Sequence, residues 1–172
     1  MTPALVALTA LGVLGALDTL VYHEAVLHLP SKSSARDELR LHAARDFIYA
    51  LLFASLAWLR LEGVFSILIA VLLAIEIAIT LADFITEDRT RKLPAGERSM
   101  HAVMGLVYGV FLTLLAPTLY AWSRLPARIE PASHGWLSIV MTVLAAGVLL
   151  SGLRDLFASA FGAAGQRTSG FR

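Results

Sequence analysis

The sequence predicts an all-α integral membrane protein with about five membrane-spanning helices. Four of them are expected to form an antiparallel bundle around a polar site, with the fifth helix peripheral. Hydrophobic residues make up 58% of the chain and charged residues only 16%, which is more apolar surface than a soluble domain of this size can bury. The apolar residues fall into five runs of helical length, and most remaining charges form stripes on four of these runs.

The five apolar runs define the predicted helices. A helix needs about 20 residues to cross the hydrocarbon core, and backbone amides in lipid must be satisfied within the helix. The second run reaches this length only by including a polar first turn, and the short connections favour antiparallel neighbours. We predict one domain over residues 1–159, with spans at about 3–28, 34–59, 64–88, 97–122 and 136–157, and a disordered cytoplasmic tail at 160–172.

Composition also restricts the chemistry. The chain contains no cysteine, which excludes disulfide bonds and thiolate metal sites within it. Its net charge of +1 gives no concentrated basic face of the kind that nucleic-acid binding requires, so no nucleic-acid partner is expected. The N-terminal segment lacks the basic residues that open a cleaved signal peptide, and we therefore expect it to be retained as the first span.

The basic residues predict the orientation. With the N-terminus outside, eleven of the fourteen Lys and Arg residues fall on the inner side, and only Arg60, Arg124 and Arg128 face outward. The positive-inside rule therefore predicts an external N-terminus and a cytoplasmic C-terminus in the inner (plasma) membrane. All three tryptophans fall on the outer side, where an interfacial aromatic belt is expected.

Polar residues form stripes on the first four predicted helices. At 3.6 residues per turn, offsets of four, seven, eight and eleven residues fall on one helix face. On the first helix, Asp18 and Tyr22 share one line, Glu24 and His28 lie part of a turn away, and His23 points to the opposite side. The other stripes are Glu38, His42, Arg45, Asp46 and Tyr49; Glu76, Thr80, Asp83, Glu87 and Arg91; and Glu97, His101 and Tyr108.

This buried charge predicts a bound metal ion. An unpaired carboxylate near the bilayer centre costs at least about 2.5–3.5 kcal/mol, so a cation, protonation or partner arginines must offset it. Carboxylates and imidazoles that point into a four-helix core are the ligands of di-iron and di-manganese bundles, and this donor set favours Fe, Mn or Zn. We predict one or two divalent ions with the ligands His42, Asp46, Glu76, Asp83 and His101.

Three further residues are predicted to act in catalysis. Asp18 is expected to be a base or a sixth ligand, while Tyr49 and Tyr108 are expected to donate a proton or a hydrogen bond. Other polar residues have alternative explanations, such as a solvated helix end or the favourable interaction of an acid with a helix N-terminus. Membership of the site is therefore left open for Glu24, His28, Glu38, Glu87 and Glu97.

The leading functional prediction is a metal-dependent enzyme, either a hydrolase or an oxidoreductase, that acts on a lipid-soluble or membrane-proximal substrate. The alternative is a proton- or cation-coupled transporter, since intramembrane acids mark ion paths as well as catalytic sites. A third hypothesis is a haem protein with His23, His42 and His101 as axial ligands. A purely structural salt-bridge network around Arg45 is the remaining explanation.

The fifth helix has no stripe of its own. Only Arg154 and Asp155 lie at its inner end. We therefore expect this helix to pack outside the ring of four, where it could provide the contact between two copies of the chain in a homo-oligomer.

Overall fold

The computed structural model describes residues 1–161, without the side chain of Ser33. Its elements are α1 (Thr2–Asp18), a π-helical segment (Thr19–Val26), 3-10 turns at Leu29–Ser31 and Ser33–Ala35, α2 (Arg36–Trp58), β1 (Leu59–Glu62), α3 (Val64–Thr90), α4 (Ala95–Ser123), β2 (Arg128–Pro131) and α5 (Trp136–Phe161). The prediction of an all-helical architecture is confirmed. α5 includes residues 160–161, the first two of the predicted tail, and the rest of that tail, residues 162–172, lies outside the described residues.

Four of the five helices are long and apolar enough to cross a membrane. Their outer faces carry large exposed apolar side chains, such as Leu106 at 74% and Val143 at 67% exposure. Water disfavours such faces, whereas lipid tails accept them. The composition is therefore consistent with a membrane protein, and the candidate spans are Thr2–Val26, Val64–Thr90, Ala95–Ser123 and Trp136–Phe161.

The exception is α2, which is not among the four candidate spans. Its first turn carries the acids Asp37 and Glu38, so the run predicted at 34–59 lacks the composition of an independent transmembrane helix. It still crosses the bundle, because 23 residues cover about 35 Å at 1.5 Å per residue. The inward face of its polar half is enclosed, since Glu38 and His42 are 1% and 2% exposed, whereas Asp37 and Arg40 on its other face are exposed.

The helices run alternately between two ends of the bundle. β1 follows α2, β2 follows α4, and the two strands pair, so both helices finish at one end, which we call the strand end. α5 begins there, because Ser138 Oγ donates a 2.6 Å hydrogen bond to the carbonyl of Ala57. α1 finishes at the opposite end, where Asp18 meets His101 near the start of α4. We call this opposite end the cluster end.

α5 is part of the ring of helices. The neighbours around the bundle are α1, α4, α3, α2 and α5, and α5 contacts α1 again. The approach of α5 to α2 is close because Gly152 has no side chain: a Cβ there would lie 2.9 Å from Cβ of Asp46. Small residues allow such packing between membrane helices. The outer face of α5 is exposed, which is consistent with a peripheral helix, while its other face packs against α2 and α1.

An apolar core fills the half of the bundle nearest the strand end. In a bilayer, van der Waals packing holds such a core together, because lipid tails are as apolar as its side chains. The buried residues that form it come from all five helices and include Leu5, Leu8, Leu52, Phe53, Leu56, Ile69, Leu73, Phe111, Leu115 and Met141.

A small antiparallel sheet closes the strand end. The sequence pattern indicates only short connections here, because four-residue strands are too short to show a period. Leu59 lies opposite Pro131, and Glu62 lies opposite Arg128. Gly63 follows β1 with a φ of 61°, and a Cβ there would lie 2.6 Å from Cα of Ala127, so the turn into α3 requires glycine.

The first helix changes from α-helical to π-helical after Asp18. In a π-helix each amide bonds to the carbonyl five residues earlier, as the amide of Leu27 does with Tyr22 at 2.8 Å. Residues five apart therefore lie nearer to one face than in an α-helix, which would place them about 140° apart. The prediction that His23 points away from Asp18 is wrong for this reason, and His23 is only 3% exposed.

Candidate metal centre

The cluster end contains a dense group of buried polar side chains to which every helix contributes. Their proximity follows from the alternating helices, since the end of one helix and the start of the next meet here. No side chain in the group is more than 14% exposed. We call it the polar cluster, and its members are Asp18, His23, Glu38, His42, Asp83, Glu87, Arg91, Glu97, His101 and Asp155.

Asp18, His23 and His101 form the first group of candidate ligands. Nε2 of His23 lies 3.4 Å, and Nε2 of His101 lies 3.3 Å, from the same carboxylate oxygen, Oδ2 of Asp18. One ligand atom from each residue lies within 4.8 Å of the other two. Ligand atoms on one ion are about 3–4 Å apart when each lies near 2.1 Å from the metal, so small side-chain adjustments would complete a site. We call these three residues the triad.

His42 connects the triad to α3 and α5. Its ring stacks on that of His23, with centroids 4.7 Å apart and planes inclined by 8°. Its Nε2 lies 3.1 Å from Oδ2 of Asp83, and its Nδ1 lies 3.9 Å from Oδ2 of Asp155. Asp83 also accepts a 3.0 Å hydrogen bond from Arg45. The close stack leaves no gap for a porphyrin between the two rings, which argues against a haem that these two histidines would ligate from both faces.

Arg91, directly after α3, connects three glutamates. Its Nη2 lies 2.8 Å from Glu38, 3.1 Å from Glu87 and 2.7 Å from Glu97. Burial opposes its charge, but hydrogen bonds to Glu97 and Glu38 raise the pKa of the guanidinium above its ordinary value. Arg91 is therefore a fixed positive charge at the edge of the polar cluster.

Glu87 joins two further groups of candidate ligands. Its Oε1 lies 4.0 Å from Nε2 of His42, and its Oε2 lies 3.7 Å from Nδ1 of His101. With one oxygen towards each histidine, Glu87 has the position of a bridging carboxylate. The two groups are Glu38, His42 and Glu87, and Glu87, Glu97 and His101.

Several buried atoms of the polar cluster have no hydrogen-bond partner among the described residues. Each such atom costs about 1–3 kcal/mol, and native proteins keep few of them. Imidazole nitrogens and carboxylate oxygens are metal ligands, so a bound cation would satisfy these atoms. They are Nε2 of His23, both ring nitrogens of His42, and one oxygen each of Asp18, Asp83 and Glu87.

Negative charge exceeds positive charge in the polar cluster. Six carboxylates face three guanidinium groups, those of Arg45, Arg91 and Arg154. Within residues 1–161, Arg45 forms a salt bridge with Asp83 alone, whereas Arg91 pairs with three acids, so a salt-bridge network centred on Arg45 does not account for the polar cluster. Protons or bound cations must offset the remaining charge.

The residues predicted from the stripes separate into two levels. Asp18, His42, Asp83 and His101 lie in the polar cluster. Glu76 lies closer to the apolar core, where its Oε1 accepts hydrogen bonds of 3.0 Å from Tyr49 and 2.7 Å from Thr80. Tyr108 and Asp46 line a cavity next to the polar cluster. The three ligand groups include neither Asp46 nor Glu76.

The five residues whose membership of the site the sequence left open fall into two groups. Glu38, Glu87 and Glu97 belong to the polar cluster. Glu24 instead pairs with Arg154 outside it, and His28 is exposed. Solvation or simple pairing therefore explains the last two.

Two members of the polar cluster escaped prediction. His23 was placed on the wrong face, because nothing in the residue pattern marks the π-helical segment. Asp155 was visible as an acid at the inner end of α5, but it has no polar stripe around it. Its 3.9 Å distance to His42 depends on the close approach of α5 and α2.

A largely apolar cavity of about 600 Å³ adjoins the polar cluster. Asp18 and His101 line its polar end. Its lining also includes Leu20, Val143 and Leu150, which are 63%, 67% and 67% exposed. The cavity therefore reaches the outer surface of the bundle between the π-helical segment and α5.

Glycines create part of this space. A Cβ added at Gly105 on α4 or at Gly147 on α5 would meet no atom within 4 Å, and both glycines line the cavity. A cavity with one polar end, apolar walls and a lateral opening suits an apolar molecule that arrives through lipid.

Comparisons with known proteins return no match: no family model, no curated protein and no solved structure is similar to this chain. The arrangement of the side chains is therefore the basis for a functional hypothesis.

Proposed function

We propose that this protein is a membrane-embedded metalloprotein whose triad binds a divalent ion, and that it is a metal-dependent enzyme for a lipid-soluble substrate. One observation carries the proposal. Two imidazoles and one carboxylate converge, with unpartnered buried atoms among them, and two of the three residues, Asp18 and His101, line the polar end of an apolar cavity. Pockets with apolar walls and a few convergent polar groups are the usual form of a substrate site.

The donor set supports particular ions and reactions. Two histidines and one carboxylate leave coordination positions free, as at non-haem Fe(II) sites and catalytic Zn sites. A bound ion would activate water for hydrolysis or, if it is iron, oxygen for oxidation. Asp18 is then a ligand rather than a separate base. The candidate proton acceptor is Nδ1 of neighbouring His42, which has no hydrogen-bond partner among the described residues, whereas Nε2 of the same ring faces the Asp83 carboxylate at 3.1 Å.

The substrate would occupy the cavity. An apolar body fits between the walls, with its reacting group towards Asp18 and His101. Tyr49, Glu76 and Tyr108 line the same cavity and supply further hydrogen-bonding groups. The opening between the π-helical segment and α5 gives access from the bilayer.

A transporter is supported less well. It needs a site that can be reached from both faces of the membrane and hence a polar path through both halves of the bundle. On the strand side of Glu76, the interior consists of apolar side chains such as Leu73, Phe53, Phe111 and Leu115. This packing favours a site that opens towards one end and towards lipid.

We further propose that the cluster end faces the cytoplasm in the inner (plasma) membrane. Most of the basic residues lie on that side, and three lie near the strand end. By the positive-inside rule, this distribution predicts an external N-terminus. The exposed apolar outer face of α5 is the proposed contact with a second copy of the chain.

Metal analysis tests the proposal. We expect protein purified in detergent without chelator to contain about one metal ion per chain. Replacement of His23 or His101 by Ala should lower metal affinity by more than about tenfold, since even loss of a residue that only supports a ligand costs about 10–100-fold. Elemental analysis after dialysis against defined free Mn²⁺, Fe²⁺ or Zn²⁺ measures this affinity.

The matched control is His134→Ala, because His134 lies before α5 at the strand end. It should retain the metal content of the wild-type protein. Folded wild-type protein that binds none of the three ions, or equal binding by His23→Ala and His134→Ala, would contradict the proposal.

A further inference from the structure

The glutamates around Arg91 are ligand atoms that the triad does not use. Glu38, Glu87 and Glu97 come from α2, α3 and α4 and are each at most 1% exposed. Together with His42 and His101, they make up the second and third groups of candidate ligands. The position between these three carboxylates is taken by the guanidinium of Arg91.

The contacts of Arg91 resemble those of a metal ion. Its Nη2 alone lies 2.7–3.1 Å from one oxygen of each glutamate. Nε adds a second bond to Glu38, and Nη1 adds a second bond to Glu97. One cation thus gathers carboxylates from three helices, as a divalent ion would at shorter distances of about 2.0–2.2 Å.

The charge and the unpartnered atoms favour a stronger cation than arginine. Arg91 brings one positive charge to three carboxylates, so a divalent ion would offset more of the local charge. Both ring nitrogens of His42 and Oε2 of Glu87 are buried without a hydrogen-bond partner among the described residues. These atoms indicate a missing ligand independently of the carboxylates. The guanidinium of Arg91 already binds Glu38, Glu87 and Glu97, and from that position it does not also reach the His42 ring.

We propose that Arg91 occupies a second metal position and so keeps the centre mononuclear. The proposal rests on the triad as the first metal site. Removal of the guanidinium frees Glu38, Glu87, Glu97 and the neighbouring histidines to bind a second divalent cation. His101 then joins the two groups of ligands, since its Nε2 faces Asp18 and its Nδ1 faces Glu87.

Binding of Mn²⁺ alone tests this inference. Equilibrium dialysis with elemental analysis should give about one ion per chain for the wild type and about two for Arg91→Met. Electron paramagnetic resonance should change from the spectrum of isolated Mn²⁺ to one altered by a neighbouring Mn²⁺, because His101 directs Nε2 towards the triad and Nδ1 towards Glu87. Arg89→Met is the matched control, since Arg89 is exposed two residues earlier, and it should still bind one ion.

Arg91→Met leaves three buried acids without their partner and could therefore misfold. A second variant with fewer unpaired acids keeps the test decisive. The double variant Arg91→Met with Glu38→Gln removes one positive and one negative group, and it retains Glu87, Glu97 and His101. It should also bind a second, neighbouring ion. A single ion in the wild type and in both Arg91 variants would overturn the inference while leaving the proposed function intact. The inference about Arg91 would also be overturned if neither variant folds in the presence of Mn²⁺, or if the wild type binds two ions. A wild-type protein that binds no ion would instead overturn the proposed function.

Discussion

At the scale of single residues, surroundings rather than residue type separate the candidate ligands from other buried acids. Asp18 and Glu76 each keep one buried oxygen without a hydrogen-bond partner among the described residues. They differ at the other oxygen: Oδ2 of Asp18 faces the imidazoles of His23 and His101, whereas Oε1 of Glu76 accepts hydrogen bonds from Tyr49 and Thr80. Hydroxyl donors stabilise a carboxylate without a metal ion. Glu76 is therefore held by hydroxyl groups, whereas Asp18 lies among potential metal ligands.

This difference predicts the behaviour of Glu76→Gln. The variant should keep the metal content of the wild type, because the amide oxygen can still accept from Tyr49 and Thr80 and because Glu76 lies outside the three ligand groups. Elemental analysis of the purified variant, beside His101→Ala, measures the effect. A loss of metal as large as that in His101→Ala would instead favour the ligand set predicted from the stripes.

At the scale of helices, two local departures from regular packing shape the site. The π-helical segment turns His23 towards Asp18, and Gly152 brings α5 close enough to α2 for Asp155 to approach His42. π-Helical turns are uncommon, and they occur frequently at functional sites. The π-helical segment and the close contact at Gly152 both bring together polar atoms that regular helices at ordinary separation would leave apart.

Two glycines on α4 give a matched test of the cavity. Neither Gly105 nor Gly109 would bring an added Cβ within 4 Å of another atom, but only Gly105 lines the cavity. Gly105→Leu should fill part of the cavity and weaken the binding of an apolar probe such as tritiated 1-dodecanol. We expect a loss of affinity of at least about tenfold, because a misfit of even one methylene in an apolar pocket has an effect of this size. Gly109→Leu should bind as the wild type does, as measured by scintillation proximity in detergent. Equal binding by the two variants would show that the probe does not use this cavity.

At the scale of the whole molecule, an odd number of passages through the bundle separates residue 1 from residue 161, the two ends of the part of the chain that the structure describes. α2 crosses the bundle although its polar half is unsuited to lipid, because the other helices enclose the inward side chains of that half, such as Glu38 and His42. Its charges are thus compatible with a membrane only in the assembled bundle. This arrangement places residue 1 at the strand end and residue 161 at the cluster end.

The topology can be tested with reporters. A fusion after Arg172 should be cytoplasmic, and a fusion before Met1 should be external, because the basic residues concentrate on the side of the polar cluster. Alkaline phosphatase and green fluorescent protein, which are active on opposite sides of the inner membrane, give the readout. Reporters on the same side at both ends would contradict five passages, and an external C-terminus with an internal N-terminus would reverse the proposed orientation.

The sequence by itself determined the helices, their apolar faces and several members of the polar cluster. Hydrophobic runs and the 3.6-residue period are local properties, so they place Asp18, His42, Asp83 and His101 on inward faces without knowledge of the neighbours. The same period does not set the depth at which one helix meets another. Asp46 and Glu76 share those stripes and yet lie outside the ligand groups.

Only the tertiary structure decided which polar residues meet. The inward turn of His23 depends on five-residue hydrogen bonds after Asp18, and the position of Arg91 among three glutamates depends on where α2, α3 and α4 end relative to one another. Such contacts join residues far apart in the chain, and their geometry follows from helix packing and crossing depth. A period of 3.6 residues specifies the direction of a side chain around its own axis, whereas a metal centre also requires the relative height and distance of several axes.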